Sequence, residues 1–364
     1  MKVAIIGGGI VGATCAYYLS KENVDLTVFD YGVGQATKAS AGIISPWFSK
    51  RRNKPWYKMA RMGADFYLKL VDDLNKENID TSFYKQCGVY LLKKDDSKLE
   101  ELKELAESRK ELSPMIGLLE ILPLEEAKNI IPSFNNNGRV LFASGGGRVE
   151  GERFVNTLLE AANVKVINEK VALEKVENKF KINDIIFDKV ILAAGAWLGE
   201  ILAPLGYEVD VRPQKGQLRD YEIADKNSVN YPVIMPEGEL DIIPFEDGIV
   251  SVGATHENDM GFDLSIDKEL LNKFEKEAVE FLGQLKTAKT INERVGIRAY
   301  TSDFSPFYGV LPYDNNILVA SGLGSSGLTT GPIIGYNLAM LLLNREQLLD
   351  SKDYPVEKYV KAKI

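Results

Sequence analysis

Cysteine is nearly missing from these 364 residues, which hold only Cys15 and Cys87. Two thiols are too few for a disulfide scaffold or a structural zinc site, so a reduced, cytoplasmic setting is the expectation. Histidine is scarcer still: His256 is the only one. A histidine-containing metal cluster cannot be built from one residue, and no metal is expected. A Ser–His–Asp triad would have to use His256, and no G-x-S-x-G turn accompanies it. In "VGATHEN" this histidine reads as a surface or strand-end residue. An excess of positive charge is also missing: the net charge of −8 offers no basic face for nucleic acid. Long apolar runs are absent too. The most apolar late segment, Leu338 to Leu343, is far too short for a membrane span. Three glycines interrupt the apolar stretch after Met1, which argues against a signal peptide there.

What remains is an ordinary globular composition, 45% hydrophobic and 26% charged, at a length that suggests two domains. One local basic cluster, "KRRNKPWYKMAR" from Lys50 to Arg61, reads as a solvated surface, a lipid-headgroup contact or a rim that attracts an anionic substrate.

Glycine is spent in a pattern. "GGGIVG", Gly7 to Gly12, follows the buried strand Val3 to Ile6 and opens a helix. In this G-x-G-x-x-G unit Gly7 permits the tight turn and Gly9 lets the backbone approach a pyrophosphate. Gly12 allows helix and strand to pack closely, with Ala16 small on the same helix face. The helix start presents free N–H groups to phosphates. A second strand, "DLTVFD", ends in Asp30, an acid placed to accept hydrogen bonds from ribose hydroxyls. Strand, turn, helix, strand and acid in one unit predict a dinucleotide site, with FAD and NAD both open.

Further along, the sequence predicts helices over 65–74, 97–112 and from about Gly151, and strands at 88–94, 164–167 and 190–193. The small residues Ala193, Ala194 and Gly195 bring a turn close to something bulky or simply pack a helix on a sheet. From Val211 to Gly283 alternating stretches such as "VRPQKGQLRDYEI" predict an antiparallel sheet, followed by a helix capped at Ser265 or Asp267. "GLGSSG", Gly322 to Gly327, repeats the glycine spacing after a strand and before a helix, but no strand with a terminal acid follows. It is a turn that aims a helix N-terminus at something other than adenosine.

Four segments together make the chain resemble the D-amino-acid oxidase/glycine oxidase family of FAD-dependent oxidoreductases. They are "GGGIVG" with Asp30, "ASAGIISP", "VILAAGAW" with "VRPQKGQL", and "GIRAYTSDFSPFYG" with "SGLGSSGLTTGP". They occur in the family's order over essentially the whole chain. The resemblance implies an α/β fold, in which a discontinuous Rossmann-like FAD-binding domain (1–82, 142–211 and 292–364) joins an α+β substrate domain built on an antiparallel sheet (83–141 and 212–291). It implies non-covalent FAD, with Gly7, Gly9, Ile10, Val11, Gly12, Asp30 and Tyr31 at the ADP half. Ser40, Ala41, Gly42 and Ile43 would run along the flavin, Val171, Ala194, Gly195 and Trp197 would line other parts of the cofactor, and Gly322, Leu323, Gly324, Ser325, Ser326, Gly327 and Leu328 would wrap the isoalloxazine.

Arg298 matches the family's arginine that pairs with a substrate carboxylate; a structural ion pair, for instance with Asp303, is the alternative. Lys215 would assist reaction with oxygen. Glycine oxidases carry a tyrosine three residues before the strand proline, where this chain has Asp241. They also carry a second arginine in the C-terminal glycine turn, where it has Ser325 and Ser326. Asp241 therefore either favours an amine or a basic side chain on the substrate or faces solvent.

The implied activity is oxidation of a small amine or amino acid (glycine, N-methyl or D-amino acid type), with O2 as acceptor and a hydrolysing imine as product. A quinone-linked dehydrogenase, an NAD(P)-dependent dehydrogenase and a non-catalytic flavin-binding protein are the alternatives. The expected partners are small molecules, with a homo-oligomer possible and no nucleic acid.

Overall fold

A computed structural model describes residues 1–363. Its first layer is a six-stranded sheet in the order Phe307–Leu311, Asp314–Ser321, Lys189–Leu192, Lys2–Ile6, Asp25–Phe29, Lys165–Ile167. All pairings are parallel except that of Phe307–Leu311. The apolar runs "VAII" and "VIL" are buried on both faces, as central parallel strands require. Lys2–Ile6 lies mid-sheet, and the chain leaves it to one side first and to the other later. That makes a topological switch point, and the crevice beyond the strand ends is where such sheets bind ligands.

The helix Ile10–Leu19 springs from the first strand and is almost wholly buried. Both glycine-led helices pack on one another. A Cβ at Gly335 of the helix Gly327–Leu342 would sit 2.5 Å from the Val11 carbonyl oxygen, so only glycine permits this approach. The helix that the second glycine motif opens thus carries a packing glycine of its own.

The second large layer is an eight-stranded sheet: Lys289–Tyr300, Arg212–Glu222, Ile249–Gly253, Asp241–Pro244, Val233–Met235, Val89–Leu91, Val140–Ala143, Leu119–Leu122. It is antiparallel except where Val233–Met235 meets Val89–Leu91. The helix Lys268–Phe281 covers one face, packing Phe274 and Ala278 against Tyr221, Ile242 and Val252. Its N-cap is Asp267, whose side chain accepts from Leu270 N at 3.0 Å. Period-2 alternation turns Asp241 and Ile243 to the opposite face.

Two expectations need revision. The sheet pairs Lys289–Tyr300 along its length with Arg212–Glu222, and it includes Val140–Ala143. The boundaries expected at 142 and 292 thus fall inside strands. The helix expected over 65–74 runs over Lys54–Lys76, with Asn53 as N-cap accepting from Trp56 N at 3.0 Å and Pro55 in its first turn. Asn–Lys–Pro is a helix-start signal that the basic letters around it disguised. Much of that basic cluster is paired: Lys50 with Glu101, Lys58 with Asp353, Arg61 with Asp65. Among the described residues no helix is long and apolar enough to cross a membrane.

Candidate active site

A cavity of about 940 Å³ opens at the carboxyl ends of the parallel strands and continues onto the free face of the antiparallel sheet. Its narrow turn is built by Gly7, whose φ of +108° suits glycine, and by Gly12, where a Cβ would lie 1.9 Å from the Gly7 carbonyl oxygen. The helix that follows has Gly9 at its N-cap with no side-chain cap bond, which leaves first-turn N–H groups for an anion. Thr37 Oγ1 accepts one of them, from Ile10 N at 3.1 Å. Asp30 is buried on the wall, and the amide of Gln35 donates to its carboxylate.

Every residue expected along the cofactor lines this cavity except Gly12 and Gly322, which shape the turns behind it. The two glycine motifs are also tied to the "AAGAW" turn, since Ser321 Oγ donates to the Gly195 carbonyl at 2.9 Å. Beyond it, Gly324 and Ser325 to Leu328 form the wall from which the helix Gly327–Leu342 departs. Tyr300 Oη holds this turn by accepting from Ser325 N at 3.0 Å. A glycine cradle, the acid Asp30 at the end of the second strand and a long slot between two helix N-termini fit a dinucleotide that carries a second ring system.

On the antiparallel sheet, Arg298 reaches sideways across the neighbouring strand. Its Nη1 donates to Gln214 Oε1 at 3.1 Å and to the Thr255 carbonyl at 2.8 Å. The guanidinium lies over Gly216, where a Cβ would be 2.7 Å from Arg298 Cζ, so glycine makes room for it. Among the described residues no carboxylate comes within 4 Å of Arg298. Burial pulls its pKa below the ordinary value, partly offset by Tyr300, Glu239 and Glu257, and the group stays charged. Asp303 is committed elsewhere, to Lys358 and to Tyr359 Oη at 3.0 Å, which removes the ion-pair alternative.

Asp241 faces the cavity and not bulk solvent. Burial raises its carboxyl pKa to about 7. His256 is exposed just past the end of the strand Ile249–Gly253, as read from sequence, and it also lines the cavity. Its pKa is held below the ordinary value by burial and then by the charge of Arg298, against the pull of Glu239 at 3.8 Å. The "GATHE" alternation that sets Ala254 and His256 on one face was the available signal.

Lys215 is a correction. It alternates with Gly216 and points away from the cavity, with Nζ 2.7 Å from Asp263 and 3.8 Å from Glu257. Its side chain is 2% exposed and does not line the cavity. Lys215 braces the hairpin that carries Thr255. Sequence reasoning also missed Gln35, Thr37 and Lys93 on the cavity wall, and no local pattern marks them.

A parallel sheet with a glycine-built dinucleotide cradle, whose cavity runs onto an antiparallel sheet, is the architecture of a nucleotide-cofactor oxidoreductase. The chain belongs to the family of FAD-dependent oxidoreductases called DAO, whose sequence model matches residues 2–341. FAD is accordingly the cofactor, and the nicotinamide alternative falls. The chain is 37% identical to the oxidoreductase YurR of Bacillus subtilis (strain 168) over 96% of its own length and 97% of that protein. It is 28% identical to the glycine oxidase of Pseudomonas aeruginosa, covering 97% and 98%. The structure superposes on iminodiacetate oxidase (IdaA) from Chelativorans sp. BNC1 with a TM-score of 0.91 at 30% identity, covering 98% of both chains.

Proposed function

We propose that this enzyme oxidises a small amine that bears a carboxylate, an amino acid of the glycine, N-substituted or D type, and passes the electrons to O2. The observation that carries the reading is Arg298, a charged guanidinium on the cavity wall with no carboxylate of its own. Leaving such a charge unpaired costs several kcal/mol by order of magnitude, a cost that a bound substrate carboxylate offsets. Nη1 is occupied, so the Nη2–Nε edge is the fork that remains for two parallel bonds.

Bound FAD supplies the two-electron acceptor that takes a hydride from the carbon next to the substrate nitrogen. Arg298 fixes the carboxylate and hence the orientation of that carbon. The walls around it, with Trp56, Phe48, Leu102 and Met235, exclude water and strengthen the electrostatic contacts inside. The N-terminus of the helix Gly327–Leu342 adds a positive potential on the cavity wall, which favours negative charge developing there. Hydrolysis of the released imine gives a carbonyl product and free amine. Iminodiacetate and glycine, in the names of the relatives above, are both small amines with carboxylates, and both names are those of oxidases.

The test is the visible spectrum of the purified, FAD-loaded enzyme. It is recorded anaerobically before and after pooled glycine, N-methyl, D- and L-amino acids and iminodiacetate are added. Bleaching, followed on aeration by recovery with one peroxide per turnover, is the expected outcome. Bleaching without peroxide moves the acceptor from O2 to a quinone. No bleaching by any carboxylate-bearing amine defeats the reading.

A further inference from the structure

Asp241 is the one acid that the cavity wall carries on its antiparallel-sheet side, on the inward face of Asp241–Pro244. A half-buried carboxyl on a cavity wall meets either protein donors or whatever fills the cavity. This one has neither a hydrogen-bond partner nor an ion-pair partner among the described residues, and its raised proton affinity comes from burial alone. Nearby acids are already used: Glu239 faces His256 at 3.8 Å and Glu237 pairs with Lys98 at 3.2 Å.

The placement of Asp241 relative to Arg298 is set by register. The Arg298 guanidinium reaches the Thr255 carbonyl. Asp241 lies opposite Gly253, two residues earlier and one strand further across. Sheet spacings make that offset on the order of 8 Å between backbone positions. Arg298 and Asp241 thus form two poles of opposite sign on one wall, apart and unpaired.

We propose that Asp241 is a second recognition point that takes a protonated nitrogen of the substrate, remote from the carboxylate held by Arg298. The favoured substrates are amino acids whose cationic nitrogen lies several bonds from the carboxylate. This deepens, and rests on, the reading of Arg298 as the carboxylate anchor. A cation at Asp241 restores the pairing that the fold withholds, and an anion there is repelled once the carboxyl is ionised. Arg298, His256 and Lys93 are the other charged or titratable side chains on this part of the wall, with Glu239 behind His256. None of them is an acid that could replace Asp241 as the partner of a cation.

The experiment measures Kd in the oxidised holoenzyme, from the perturbation of the flavin spectrum and by calorimetry, for two matched pairs: acetate with glycine, and butanoate with 4-aminobutanoate. At pH 8 the wild type is expected to bind 4-aminobutanoate at least tenfold more tightly than butanoate. Asp241→Asn is expected to erase that preference while holding butanoate as tightly or more tightly. At pH 5.5 the wild type should behave like the variant. Asp241→Ser is run in parallel, so that a variant that fails to retain FAD does not decide the matter. If the preference persists in both variants, the proposal is wrong. If they lose the glycine preference and keep the 4-aminobutanoate preference, the remote placement is wrong. If the acids bind normally but nitrogen brings no preference in the wild type, Asp241 is not a cation site. If acetate and butanoate fail to bind at all, the Arg298 reading has failed first and takes this inference with it.

Discussion

Replacing Arg298 by alanine separates an orienting guanidinium from a structural one. The side chain gives two bonds to protein acceptors, both from Nη1, and has no ion-pair partner among the described residues. If its purpose is a substrate carboxylate, truncation removes one half of a buried charge pair, which costs about 2–5 kcal/mol. A central value of about 3 kcal/mol is roughly a hundredfold in kcat/KM, at 1.4 kcal/mol per tenfold. Arg298→Lys keeps the charge but loses the planar fork, and about tenfold is expected. Gly216→Ala should imitate the lysine variant without touching the charge, because its Cβ would lie 2.7 Å from Arg298 Cζ and push the guanidinium aside.

The assay is anaerobic stopped-flow bleaching with a carboxylate-bearing amine and with its carboxylate-free counterpart, sarcosine beside dimethylamine for example. The carboxylate substrate should lose about a hundredfold in Arg298→Ala, and the plain amine should stay within about threefold of its already low value. Equal losses for both would show that Arg298 supports the fold and does not hold the substrate.

The remaining predictions concern the cofactor turn, Asp241 and Lys215. Gly12→Ala would force a Cβ to 1.9 Å from the Gly7 carbonyl oxygen, so the purified variant should be largely colourless and lower in Tm, as absorbance and calorimetry will show. Asp241 carries more protons folded than unfolded between its unfolded pKa near 4 and its folded value of about 7, so stability falls as pH rises through that window and is flat above it. Asp241→Asn should therefore match the wild type near pH 4 in denaturant titrations and exceed it at pH 8, by at most about 4 kcal/mol. Lys215→Met should lower Tm by leaving Asp263 and Glu257 without their cation, while the rate of flavin reoxidation by oxygen stays within about twofold. A tenfold fall in that rate would return Lys215 to the chemistry.

The parts of this molecule that were legible in its sequence are those where the backbone itself is the functional element. Gly12 is needed because a Cβ would collide with the Gly7 carbonyl oxygen five residues back, and Gly7 because its φ is +108° and a Cβ would meet the Ala193 carbonyl oxygen, so the tight turn leaves a fixed local spacing. Asp30 was legible for the same reason, since a parallel strand of known length delivers its last residue to the same crevice. The Arg298 assignment came from family likeness, and the structure puts the guanidinium on the cavity wall with no ion-pair partner among the described residues. Lys215 shows where this mode of reading fails. It is one residue from a cavity-lining glycine, and a strand sends neighbours to opposite faces, so adjacency in the motif meant separation in space. Thr37 and Lys93 reach the cavity from a loop and a strand end, with sequence separations that leave no spacing to detect. What a sequence cannot show is which polar groups remain unsatisfied after folding. Arg298 is left short of an anion and Asp241 of any donor, and those two deficits, both created by tertiary structure, are what support the proposed substrate site on this part of the wall.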